Sequence, residues 1–388
     1  MTELEKANFK LTAATAEIEY YKSLLQKKQK TSLESKVKNT IKGLMNRQQK
    51  KKKIGLVVDV DNWAFYNIAN NFAKHITEFE CFIVPMSLLD SDFYRMWILL
   101  KDCQIVHFFC RGIPLSVKNP SLRESIEKYG DTFDNFYAKY LKGKILTTCV
   151  YDHLFLEEEF DFTQYLFSQV QQYYVSSNIL YDIYQNLDIK YKPSAVITDG
   201  INPDLFYPKN LSRFDNLDRP LVVGWVGNSE WNKGKDHKGL HSVIVPAIEN
   251  LKKAGYSIEL LSSDKVEKHI PIEEMVNYYE KVDIYVCASI SEGTPNPVLE
   301  AMACGIPVIS TNVGIVKDAF GPIQQQFVLE ERSVSCLENA LKKMIASPEL
   351  INACSKENLE SIKSWYWEYK AKDFEEFIKN AISKGERL

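Results

Sequence analysis

The chain has 388 residues, 45% of them apolar and 26% charged, enough for two ordinary domains and an extension. Its net charge of −3 hides an asymmetry: between Lys22 and Lys53 twelve Lys or Arg stand against one acid, Glu34. Everything after Lys53 is therefore acidic, which excludes a nucleic-acid binder, and no apolar run is long enough to span a bilayer.

The polar start MTELEKANFK does not read as a signal peptide. The eight cysteines form no Cys-x-x-Cys pair, and several (Cys81, Cys103, Cys149 and Cys287) fall in apolar runs, so they read as reduced core residues of a cytosolic protein. Residues 1–50 read as a helical extension. Leu4, Leu11, Ile18 and Leu25 share one heptad position, and Ala7, Ala14 and Tyr21 the other. This pattern fits a coiled coil that makes a homo-oligomer through residues 1–30, or a solitary helix packed on its own body. From Leu33 to Met45 a basic helix with Leu33, Val37, Ile41 and Leu44 on one face suits an anionic membrane surface, or a solvated linker. Either way, residues 31–53 lead into the folded body.

From residue 54 the pattern changes to short apolar strands alternating with amphipathic helices, the mark of a doubly wound α/β sheet. IGLVVDV is the first strand, followed by a helix with Ala64, Ile68, Phe72 and Ile76 on one face. CFIVP, QIVHFF, KILTTCV, YYVSS and AVITDG are later strands of a first domain spanning 54–203. Between Arg111 and Leu141 an aromatic, charged stretch reads as extra helices. A second α/β domain, 204–365, runs from the strand LVVGWVG through a helix, SIELLSS and IEEMVNYYEKV. A long amphipathic helix closes the chain at 366–388. No Gly-x-Gly-x-x-Gly or Walker loop occurs, which argues against a dehydrogenase or an NTPase.

The most informative stretch is 283–314, DIYVCASISEGTPNPVLEAMACGIPVISTNVG. A buried strand ends at Ser289, and a loop carries Glu292. Asn296 reads as the N-cap, with Pro297 at the first helical position and Gly305 closing the helix. Ligands bind at the carboxyl ends of strands in such sheets. The amides of Gly293, Thr294 and Asn296 at a helix N-terminus favour an anion such as phosphate. Two carboxylates, Glu292 and Glu300, beside a phosphate site suggest hydroxyl recognition, and a sugar nucleotide supplies both groups.

EGTPNPVLEAMACGIPVIST resembles the Glu-x7-Glu signature of retaining GT-B glycosyltransferases, family 4 in particular; ITDGINPDLFYP (197–208) resembles that family's interdomain hinge. The resemblance implies two Rossmann-like domains facing a cleft, a nucleotide-sugar donor as substrate, and no metal or other cofactor. It places Glu292 on the donor sugar, Glu300 on the ribose, and Gly293, Thr294, Pro295 and Asn296 around the donor. In GWVGNSEWNKGKDHKGL, at the place of the family's diphosphate loop, Lys238 matches the family's Lys. Asn228 stands where the family has Arg, beside Gly227, and Lys233 or Lys235 is a substitute cation. His237 and His241, four apart, read as helix-start and surface residues rather than a metal pair.

His107 ends a strand where the family shows His-x-His, and it joins Glu292, Lys238 and Asp152 as a catalytic candidate. The second His is Phe109 here, an exchange that would suit a 6-deoxysugar such as rhamnose; a core histidine and phenylalanine are the alternative. Asp61, Asn62, Trp63, Arg111 and His153 fall on the acceptor side. The resemblance implies sugar transfer to a saccharide or lipid-linked saccharide in bacterial surface polysaccharide synthesis, at the inner face of the cell membrane. A GT-B epimerase acting on the nucleotide sugar alone, or a non-catalytic scaffold held by the coiled coil, are the competing readings.

Overall fold

A computed structural model describes residues 51–61, 63–109, 120–153, 156, 167–187, 191–215, 217–231, 234–268 and 270–385. The coiled coil, the basic helix, Asn62, Arg111 and Lys233 lie outside the described residues. Among the described residues the chain builds two sheets.

The first sheet has the order β2-β1-β3-β4-β5-β6. Its strands are β1 (Lys52–Val58), β2 (Phe79–Pro85), β3 (Ile105–Phe108), β4 (Ile145–Val150), β5 (Gln172–Val175) and β6 (Ala195–Val196). The pairings of β1 with β2 and β3, of β3 with β4 and of β5 with β6 are parallel. Parallel pairing needs crossovers, and α1 (Ala64–His75), α2 (Phe93–Leu99), α3 (Pro120–Lys128) and α4 (Asn178–Gln185) supply helices between the strands. Helix α1 buries Ile68, Ala69 and Phe72, whereas Ala64 is exposed because the buried stripe begins a turn later. Asp92 caps α2 by accepting from the amides of Tyr94 and Arg95, and Ser177 caps α4 through Leu180.

The second sheet has the order β11-β10-β9-β7-β8, built from β7 (Leu221–Gly227), β8 (Ile258–Asp264), β9 (Ile284–Cys287), β10 (Val308–Thr311) and β11 (Val328–Leu329). Its register is parallel throughout. Strands buried on both faces must be apolar all along, as IYVC in β9 is. Helices α5 (Val245–Lys253), α6 (Met275–Tyr279), α7 (Asn296–Ala303), α8 (Val334–Ala346) and α9 (Pro348–Ser361) cover it. The last helix, α10, runs from Trp367 to Gly385. In both sheets strand order reverses beside the first strand, between β1 and β3 and between β7 and β9.

Two compact units emerge among the described residues: those within 51–149, 167–173 and 378–385, and those within 150–156 and 174–377. In the first, Trp97, Phe108, Tyr94 and Phe136 anchor an aromatic core. In the second, Trp225, Val286, Leu299 and Met302 are among the buried side chains of a larger one.

Candidate active site

The strand order reverses between β7 and β9, where such sheets open a crevice at the carboxyl ends of their strands, and there the chain leaves these strands as the loops 228–239 (232 and 233 lying outside the described residues) and 288–295. These two loops are stitched together by the backbone. The Ile290 amide donates to the His237 carbonyl at 2.9 Å, and His237 Nε2 donates to the Ser291 carbonyl at 2.8 Å. His237 is therefore buried, not a surface residue, and burial holds its ring below the ordinary histidine value, opposed by the Ser291 carbonyl. Arg332 joins both loops from outside, donating to the carbonyls of Ala288 (2.7 Å) and Asp236 (2.8 Å). Gly239 has φ +77°, and a Cβ there would sit 2.4 Å from the Ala288 carbonyl oxygen, so only glycine lets the loops approach.

On this frame Lys238 Nζ meets Glu292 Oε1 at 2.5 Å, and Ser289 Oγ donates to the same oxygen at 2.6 Å. Both side chains keep part of their surface exposed, so the pair is not sealed in the core. Trp231 stands over it, its ring 5.8 Å from Lys238 Nζ and edge-on to His237 at 4.6 Å. Asn228 carries no charge to this place. Its Oδ1 accepts the Glu230 amide at 3.0 Å and folds the loop into a turn. Lys235 is exposed.

The loop after Glu292 is equally constrained. A Cβ on Gly293 would lie 2.3 Å from Ser176 Oγ and 2.5 Å from the Tyr151 carbonyl. Helix α7 begins at Asn296 with Pro295 at the N-cap and no capping side chain. The Asn296 side chain, expected to cap, instead donates to Asp199 Oδ2 at 3.1 Å. Asp199 is 1% exposed and also accepts from Tyr151 hydroxyl at 2.6 Å, while its amide donates to Thr294 Oγ1 at 3.3 Å. Burial pushes its carboxyl up to about 7, against the pull of its two donors. One turn into α7, Glu300 Oε2 accepts from the Tyr279 hydroxyl at 2.8 Å, and burial likewise raises its carboxyl to about 7.

Of the remaining expected residues, His153 Nδ1 lies 3.3 Å from Ser291 Oγ, beside the loop. Asp152 precedes it, partly buried, its carbonyl accepting from the Tyr184 hydroxyl at 3.0 Å. Gly227 ends β7, where its carbonyl accepts the Lys265 amide. Asp61 and Trp63 follow β1; the Asp61 amide donates to Ser87 Oγ at 3.0 Å, and Trp63 is half-exposed. His107 is a correction. It is fully buried in β3, 2.9 Å from Thr147 Oγ1, with desolvation lowering its pKa to about 3, so it stays a neutral core ring. Phe109 is also core, 1% exposed against Phe65, Phe72 and His107, which leaves the 6-deoxysugar preference without the accessible ring it rested on.

The stretch containing this site matches a known family over residues 233–360. The match is to the glycosyl transferases group 1 family and covers a third of the chain. An uncharacterized glycosyltransferase of Haemophilus influenzae is 29% identical over 175 residues, 42% of this chain and 48% of that protein. The chain thus spans about half the length of that relative. Protein CapJ of Staphylococcus aureus is 21% identical over 87% of this chain and 82% of its own length. The capsular polysaccharide biosynthesis glycosyltransferase CapM of the same species is 22% identical over 43% and 49%. In fold, the catalytic domain of Starch Synthase IV from Arabidopsis thaliana, solved with ADP and acarbose, superposes with a TM-score of 0.62 over 86% of this chain and 100% of that one, at 12% identity. The matched stretch therefore carries both Lys238 and Glu292, in an architecture of two Rossmann-like sheets.

Proposed function

We propose that this chain is a retaining, metal-independent glycosyltransferase that moves a sugar from a nucleotide-sugar donor to a saccharide or lipid-linked saccharide in bacterial surface polysaccharide synthesis. The observation that carries this reading is the Lys238–Glu292 pair at the β7–β9 strand-order reversal, inside the stretch that matches the group 1 family. The departing nucleotide develops negative charge, and a preorganised cation is among the largest means of stabilising it. Lys238 supplies that cation, with the loop amides of Gly293 and Thr294 as further donors. Glu292, released from Lys238 when a diphosphate takes the ammonium, accepts sugar hydroxyls. Glu300, turned by Tyr279, accepts from ribose. His153 and Asp152, beside the loop that carries Ser291, form the acceptor side. The similarity to the capsular polysaccharide biosynthesis glycosyltransferase CapM supports the polysaccharide assignment, and the basic, amphipathic run 31–53 supports work at an anionic inner membrane surface, with residues 1–30 pairing copies of the chain.

The test is incubation with UDP-, GDP-, dTDP- and ADP-sugars and a set of lipid-linked saccharides, with NMR of the product linkage. A new glycosidic bond of the donor's own anomeric configuration is expected. An inverted linkage would overturn retention. Isomerised donor without acceptor would favour an epimerase, and no turnover with any donor a scaffold.

A further inference from the structure

Asp199 is a buried carboxylate outside the Lys238–Glu292 pair, in a turn that the sequence marks only as a hinge. Its surroundings are unusual for such a turn. One oxygen accepts from the Tyr151 hydroxyl, the other from the Asn296 amide, and its backbone amide reaches Thr294. Thr294 and Asn296 bracket Pro295, the N-cap of α7, so Asp199 grips the turn between Glu292 and Glu300 from beneath. The segment 151–153 lies along the same loop at two further points. The Tyr151 carbonyl packs against Gly293 closely enough to exclude a Cβ, and His153 meets Ser291. Tyr184, fully buried in α4, fixes that segment through the Asp152 carbonyl.

We propose that Asp199 is the positioning residue of the donor loop: through Tyr151 on one oxygen and Asn296 on the other, it fixes the turn that spaces Glu292 from Glu300. A buried carboxylate with two donors is a rigid three-way joint, because leaving any of its partners unsatisfied is penalised by desolvation. Asp199 touches neither sugar nor phosphate. It acts on donor binding by holding the loop in its bound shape beforehand, which lowers the ordering needed at association. The donor role of the loop rests on the function proposed above; the anchoring does not.

Two measurements separate them. Hydrogen exchange of residues 293–299 in the ligand-free full chain reads the anchoring alone. Asp199→Ala is expected to speed exchange there about tenfold, and Tyr151→Phe to do so to a lesser degree, with β10 unaffected. Asp199→Asn should rescue, since its oxygen can accept from Tyr151 while its amide faces an Asn296 turned by half a revolution. Unchanged exchange in Asp199→Ala, or loosening spread over the whole unit, would overturn the anchoring. Donor kinetics with UDP-, GDP-, dTDP- and ADP-glucose read the consequence. For whichever donor turns over, Asp199→Ala should raise the donor KM about tenfold with kcat within about threefold. A loosened loop with an unaltered donor KM would overturn the positioning role. No donor turning over in wild type would sink the functional reading and leave the exchange result to decide the anchoring.

Discussion

At the scale of single residues, Lys238 and Glu292 form an ion pair in the free chain, and the proposed function requires each of them separately once a donor enters. Lys238→Ala is expected to lower kcat/KM by about 10²–10³-fold, the usual loss when one preorganised charge is removed from a developing anion. Donor turnover assays on purified variants measure this, and a loss below about threefold would remove Lys238 from the mechanism. Glu300 makes a pH prediction. Burial raises its carboxyl from 4.5 to about 7, so the folded chain holds this proton more tightly than the unfolded chain. Its contribution to stability is full below about 4.5 and is lost as pH rises to about 7. If ribose hydroxyls donate to the ionised form, as the proposed function requires, donor binding should tighten from pH 6 to 8. In Glu300→Gln both slopes should flatten, in thermal melts for the first and in titrations for the second.

Among elements, the loops 228–239 and 288–295 show how far the sequence could be read and where it stopped. Pro295, Pro297 and Gly305 punctuate the chain so clearly that the strand, loop and helix around Glu292 are legible, and the helix does end before Gly305. The role of Asn296 was not. A side chain that caps well in isolation is drawn away by a buried tertiary acceptor, Asp199, and nothing local announces that partner. His237 failed for a related reason. Its spacing from His241 speaks of a helix start, but the loop folds under Ser291 and buries the ring. Arg332, which ties the two loops, lies in an ordinary charged run, LEERS, and offers no signal. His107 and Phe109 are apolar-strand residues whose alternation could not tell core from crevice. Gly239 tests the close approach of the loops. Gly239→Ala adds a Cβ against the Ala288 carbonyl in a left-handed backbone, for an expected loss of about 2–4 kcal/mol. Chemical denaturation checks it, and a loss under about 1 kcal/mol would mean that the loops separate easily.

Across the whole molecule, the amino-terminal ends of the second sheet's strands, opposite the site, carry their own charge cluster. Asp283, fully buried at the start of β9, accepts two bonds from Arg219 (2.7 and 2.8 Å) and one from the Val222 amide, with Arg213 at 3.0 Å. Burial alone would raise its carboxyl, but these partners hold it below the usual carboxylate range. Removing one member of such a buried set strands the others, so Asp283→Ala should cost about 3–5 kcal/mol while donor affinity of the folded fraction stays unchanged. A change in affinity without a change in melting temperature would contradict that division of labour between the two ends of the strands. The central claim is that the β7–β9 crevice binds a nucleotide sugar. Calorimetric titration of UDP-, GDP-, dTDP- and ADP-sugars into wild type, Lys238→Ala and Glu300→Ala tests it most directly. The account predicts that one nucleotide binds wild type and that each variant weakens it at least tenfold; equal binding by all three proteins, or binding by none, would contradict it.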